Sequence, residues 1–288
     1  MLRLIRTRVV PFLISVIATV GLSAAGCDND SKGGRLQTNS RPPDTQNAEI
    51  EINEPAPSAQ EREEALKVVD QAIKAHGGAE RLAKIKAVVK KTTGFFGPAD
   101  PFAAEMVLHV QFPDKIRNTQ KCKRPDGEVE IDVALNGESG WYRGQGKSVD
   151  IVAKSADARD VKTQIYLESI ETRLPLKEEG TVVRPLADQL VNGKLANGVR
   201  VKQKDMPALN LFFDAQTHLL VKLTTLVSEA GLLTLRDIYY YEHQSVDGVM
   251  LPKRLREMRA GAPFLEWTTM SYEFLDKIDE ALLKEPKG

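Results

Sequence analysis

A chain of 288 residues with 42% apolar content can bury one large core or two small ones. Its 40 basic and 40 acidic residues cancel, so no global field favours nucleic acid or an anionic membrane. Two cysteines, Cys27 and Cys122, could form one disulfide in principle, but the N-terminus argues against it.

That N-terminus reads MLRLIRTRVVPFLISVIATVGLSAAGCDND. Arg3, Arg6 and Arg8 form a basic start, Val9 to Leu22 an apolar stretch, and small residues follow up to Cys27, the pattern of an export signal over residues 1–26. The apolar stretch is shorter than the roughly 20 residues that a spanning helix needs. SAAGC resembles a bacterial lipobox, whose cysteine is lipidated and becomes the mature N-terminus; that pattern usually carries Leu where this chain has Ala24. The expectation is a lipid anchor on Cys27, with acyl chains such as palmitate; the alternative is plain secretion with cleavage after a small residue. A lipidated Cys27 cannot pair with Cys122. Lys121 and Lys123 flank that second thiol and could lower its pKa, but no histidine or cysteine partner is near in sequence, and a tolerated strand cysteine is the expected role.

Residues 27–57 are almost all polar, rich in Gly, Pro, Asn and Asp, and read as a disordered tether. A flexible chain of that length spans on the order of 30 Å. The folded part, residues 58–288, begins at SAQEREEALKVVDQAIKAHGG. Ser58 and Glu61 make a capping box, Leu66, Val69 and Ile73 a helical stripe, and Gly77 a stop. A second short helix is expected over Ala79 to Lys84.

The period then changes to two. In FAAEMVLHVQF the side chains of Phe102, Ala104, Met106, Leu108, Val110 and Phe112 point one way, while Glu105, His109 and Gln111 point the other. Phe102, Met106, Leu108, Val110 and Phe112 are therefore candidates for an apolar cavity wall, with ordinary packing against helices the plainer role. Val129 to Leu135 alternate before the NGESG turn, and Asn197-Gly198 reads as a turn before Val199 and Val201. Leu209 to Phe213, Leu219 to Leu223, Leu233 to Tyr241 and runs through Leu255 and Met270 complete the strands, with a turn at Val246 to Gly248. A helix is expected between Ala156 and Leu174. Short turns between successive strands predict a mainly β, α+β fold: a strongly curved antiparallel sheet with helices over one face.

Catalytic signatures are missing from the sequence: there is no Walker loop, dinucleotide fingerprint, HExxH, CxxC or GxSxG. His76, His109, His218 and His243 are scattered singly, so no metal or cofactor is expected. Alternation puts Tyr239 and Tyr241 on one face and Tyr240 on the other, against an aromatic box.

HGGAERLAKIKAV, NGESGWYRG, LNLFFDAQTHLLVKLTT, YEHQSVDGVMLPKRLRE and LDKIDEALLKEP together resemble the superfamily of lipoprotein-localisation carriers, LolA and LolB, and its outer-membrane lipoprotein-sorting relatives. The resemblance covers Ser58 to the C-terminus and implies an unclosed β-barrel of about eleven strands with helices over its mouth. It also implies a concave cavity for acyl chains and no catalysis. The expected function is a membrane-anchored, non-enzymatic binder or carrier of lipid or acylated protein, exported to the periplasmic face of the inner or outer membrane. The alternatives are an envelope-sensing module that binds a protein partner and, behind it, an unrecognised hydrolase.

Overall fold

The computed structural model describes residues 55–286 except 98–100, 145–146, 154 and 230–231. The export signal, Cys27 and nearly all of the tether therefore lie outside the described residues.

Helix α1, Ala59–Ala75, starts as its sequence dictates. Ser58 Oγ accepts from the Glu61 N–H at 3.2 Å, and the Glu61 carboxylate accepts from the Ser58 N–H at 2.7 Å. It ends at His76, followed by Gly77 at φ 129°. A Cβ on Gly77 would stand 2.7 Å from the Gly248 carbonyl oxygen, so glycine is required both for its φ and for this close approach. Helix α2, Ala79–Ala83, follows at once.

Six strands come next: β1 (Ala87–Phe96), β2 (Phe102–Gln111), β3 (Lys115–Arg124), β4 (Gly127–Asn136), β5 (Ser139–Gly144) and β6 (Lys147–Ile151). Helix α3 (Ala156–Arg173) separates them from β7 (Thr181–Val191), β8 (Lys194–Gln203), β9 (Leu209–Asp214), β10 (Leu220–Glu229), β11 (Leu232–Val246), β12 (Val249–Arg259) and β13 (Ala262–Leu275). A 3-10 turn, Glu280–Leu283, ends the described chain. Every pairing is antiparallel, in the order β6-β5-β4-β3-β2-β1-β13-β12-β11-β10-β9-β8-β7. The expected mainly β, α+β architecture is present, with thirteen strands among the described residues rather than about eleven. Bulges between Lys91 and Thr92, Leu220 and Lys222, Glu257 and Met258, and Leu186 and Gln189 bend the sheet.

Among the described residues the edges β6 and β7 are not bonded to each other, so the barrel is open. The chain must pass from one edge to the other, and α3 is that crossing; this topology places a helix in the concavity. The β1–β2, β3–β4, β8–β9, β10–β11 and β12–β13 connections lie on one rim, and the β2–β3, β4–β5, β7–β8, β9–β10 and β11–β12 turns on the opposite rim. The end of α1 belongs to the second rim, where the His76 carbonyl accepts from the Met250 N–H at 3.0 Å and Arg81 donates to the Gly248 carbonyl at 3.0 Å.

Alternation sends the even residues of β1 to β3, the odd residues of β4 and the matching set of β7 to β13 into one cluster. Val88, Leu108, Ile116, Val133, Leu211, Val199 and Leu251 lie in it with Val69, Val161, Ile165 and Ile170 of the helices. Tyr240 joins this cluster while Tyr239 packs against the smaller group around Phe212 on the opposite face, as alternation predicts. The expected turn at Asn197-Gly198 is absent. Both residues lie inside β8, and the turn falls at Asn192 and Gly193, which have positive φ. Gly198 instead faces the β7 bulge, where an added Cβ would come within 2.9 Å of the Leu186 side chain.

Candidate functional site

The site to be tested is the concave face of the sheet. The structure places Phe102, Met106, Leu108 and Val110 there on β2, and Phe112 just beyond it under the Arg173 guanidinium, 5.1 Å from the ring centroid. Phe102 and Phe112 are half-buried, Met106 keeps 7% of its surface, and Leu108 and Val110 keep 0%. A side chain lining an open chamber retains accessible surface, so Leu108 and Val110 are packed by the protein's own atoms. Toward the first rim, Phe102 stacks on Phe96 at 5.8 Å, and Phe264 meets Phe96 edge-on at 4.9 Å.

What occupies the concavity is more polar than the strand pattern suggests. Lys90, paired in register with Leu108 on one side and Tyr272 on the other, points inward and is 2% exposed. Its Nζ lies 2.6 Å from Glu168 Oε2 and 3.0 Å from Glu171 Oε1, both carboxylates belonging to α3. The Tyr272 hydroxyl stands 2.9 Å from Glu171 Oε1 and 2.8 Å from the Pro252 carbonyl. Burial alone would lower the Lys90 pKa, but the two carboxylates outweigh it and hold the ammonium above its ordinary range. Burial raises the Glu168 carboxyl, against the pull of Lys90. Burial also pushes Tyr272 and Tyr240 up, reinforced by the Glu171 charge.

A second group lies on β11 and β12. Arg236 reaches Glu257 at 2.6 Å, Arg259 Nε reaches the other Glu257 oxygen at 2.6 Å, and the Arg259 guanidinium sits 3.4 Å from the Phe264 ring centroid. Within these two groups three carboxylates thus face three cations. Sequence reasoning missed both groups. The available signal was parity: Lys90 and Glu257 occupy strand positions that alternation sends inward.

Of the four histidines, His76 and His243 come together at 6.2 Å between ring centroids. His76 is buried, contacts the Ala72 carbonyl through Nδ1 at 2.8 Å and accepts the Leu220 N–H on Nε2. Burial pushes it down to about 4. No group of three or more metal-ligating side chains forms among the described residues. Cys122 is buried on the concave side and its thiol is pushed up by burial, the opposite of an activated thiol. A shallow recess of about 300 Å³ lies on the other, convex face, bounded by Thr93, Phe95, Ala103, Glu105, Lys121 and Glu266. No described helix is long and apolar enough to cross a membrane.

No model of a known protein family matches the chain, and no curated protein matches it in sequence. Among solved structures it is similar to an outer membrane lipoprotein-sorting protein domain from Vibrio parahaemolyticus at 12% identity, covering 76% of this chain and 96% of that one with a TM-score of 0.45. A LolA superfamily protein from Nitrosomonas europaea is similar at 10% identity, with 77% and 97% coverage and a TM-score of 0.49. A DUF1329 family protein from Desulfovibrio piger is similar at 9% identity, with 76% and 97% coverage and a TM-score of 0.47. These are likenesses of fold. The open, curved antiparallel sheet with helices in its concavity is itself the architecture expected from the sequence.

Proposed function

We propose that this chain is a lipid-anchored protein of the cell envelope that binds acyl chains, of a lipid or of an acylated protein, against its concave face without catalysis. The observation that carries the reading is the broad cluster of apolar side chains on the inner face of the sheet, interrupted by the ion-pair groups at Lys90 and Glu257, with α3 laid over it and tied at Lys90. A guest reaches Met106, Leu108 and Val110 by taking the place of α3. Acyl burial contributes roughly 0.8 kcal/mol per methylene relative to water, and this gain must exceed the loss of α3 packing and of the Lys90 ion pairs. The N-terminal pattern supports export and anchoring at Cys27, which needs no described residue.

Complete packing of Leu108 and Val110 favours a second reading, a sensing or interaction module whose interior needs no guest. A hydrolase has less support: the titratable cluster at Lys90 is buried beneath α3 and serves as a structural tie. The anchor is tested by feeding cells an alkyne palmitate. The chain is expected to take up label and to lose it in Cys27→Ser; equal labelling in the variant would contradict the anchor.

A further inference from the structure

The β10–β11 hairpin reaches beyond its neighbours. The last β9 partner of β10 is Leu209, opposite Thr225, and the last β12 partner of β11 is Arg259, opposite Arg236. Pairing within the hairpin continues past both, through Leu226↔Leu235 to Glu229↔Leu232. A two-stranded ribbon with no third strand is marginally stable in water. Its convex face nevertheless shows Leu226 at 48%, Leu233 at 53% and Leu235 at 44% exposure. Leu226 and Leu235 are directly opposite, and Leu233 is the next residue on the same face, so the three make one patch.

The patch belongs to the first rim, and so does the start of the folded chain. Helix α1 ends at the second rim beside Gly248 and Met250, and its 17 residues run about 25 Å back across the sheet. Its start therefore lies toward the hairpin rim, where Arg184, near the beginning of β7, donates to the Pro55 carbonyl. The chain leading back to Cys27 leaves from that side.

We infer that the β10–β11 hairpin is a membrane-contacting element: Leu226, Leu233 and Leu235 enter the headgroup–acyl boundary of the bilayer that holds the anchor. The inference rests on the anchored reading above. A tether on the order of 30 Å keeps the domain at high effective concentration near the surface, so three leucines suffice where they would not hold a free protein. Without Arg3, Arg6 and Arg8 of the export signal the anchored chain is slightly acidic, which suits an uncharged lipid surface better than an anionic one. The hairpin then sets which way the concavity faces: its first rim, with Phe102 and Phe264, turns to the lipid.

The test uses the full lipidated chain in phosphatidylcholine vesicles, with Leu233→Cys carrying an environment-sensitive fluorophore. Leu190→Cys, exposed on the opposite rim, is the control. The expected result is a blue shift at position 233 and loss of its emission to quenchers on the lipid acyl chains, with neither at position 190. Flotation with the vesicles but no quenching at 233, or equal quenching at both positions, overturns the hairpin while leaving the anchor intact. A 233 probe shielded without lipid quenching would assign the face to a protein or a second copy, and also overturns it. A chain that does not float removes the anchor, and the inference with it.

Discussion

Lys90 sits between Leu108 and Tyr272 with almost no exposed surface, and its position is stable only because Glu168 and Glu171 meet it there. Removing the ammonium leaves two carboxylates buried without a cation, a loss of about 3–5 kcal/mol. Lys90→Met is therefore expected to lower the urea midpoint sharply, and adding Glu168→Gln and Glu171→Gln should restore most of it. An unchanged midpoint in Lys90→Met would contradict a structural tie. His76 gives the residue-scale pH dependence. Its folded pKa is about 4 against an ordinary 6.5, so the folded state favours the neutral ring. That stabilisation is complete above 6.5 and is lost as pH falls from 6.5 toward 4, amounting to about 3 kcal/mol. Burial lowers His243 as well, so its ring adds to the loss in the same direction. Urea titrations across that interval should show the decline, flattened in His76→Gln.

At the scale of elements, much was legible because the signals are local. Ser58 and Glu61 lie three residues apart and specify the start of α1 by themselves. The alternation from Phe102 to Val110 specifies β2 and its buried face. Gly198 shows where local reading fails: Asn-Gly suggests a turn, but a β7 bulge 10 or more residues away demands a residue without a side chain. Lys90 fails for the same reason, since its partners follow it by 78 and 81 residues. Gly94 is a further long-range requirement, because a Cβ there would stand 1.9 Å from the Glu266 backbone oxygen across the β1–β13 pair. That pair joins the two ends of the folded chain, and a backbone oxygen held in a sheet cannot yield. Gly94→Ala is expected to cost about 3 kcal/mol in thermal or urea unfolding; a neutral substitution would show that the two strands are free to separate.

For the whole molecule, topology links fold to proposed function. An open sheet whose edges are β6 and β7 needs a connection across its hollow, and α3 supplies it. The same helix closes the concavity, so an acyl guest of the kind proposed would compete with α3 for one surface. The edges themselves are poor templates for further pairing: β6 is short, and β7 carries Pro185 and a bulge. The candidate wall at Phe102, Met106, Leu108, Val110 and Phe112 was legible as one face, and a helical cover was expected; the ion pairs that tie α3 to Lys90 were not legible, because residues 78 and 81 positions apart make them. The most direct measurement is native mass spectrometry of the Cys27→Ser chain purified from cells without detergent. A co-purifying acyl-lipid mass, absent when Leu108→Glu is added to a still-folded chain, is the predicted result. A clean protein mass that takes up neither added fatty acid nor lipopeptide would contradict acyl binding and leave the fold as a scaffold for protein partners.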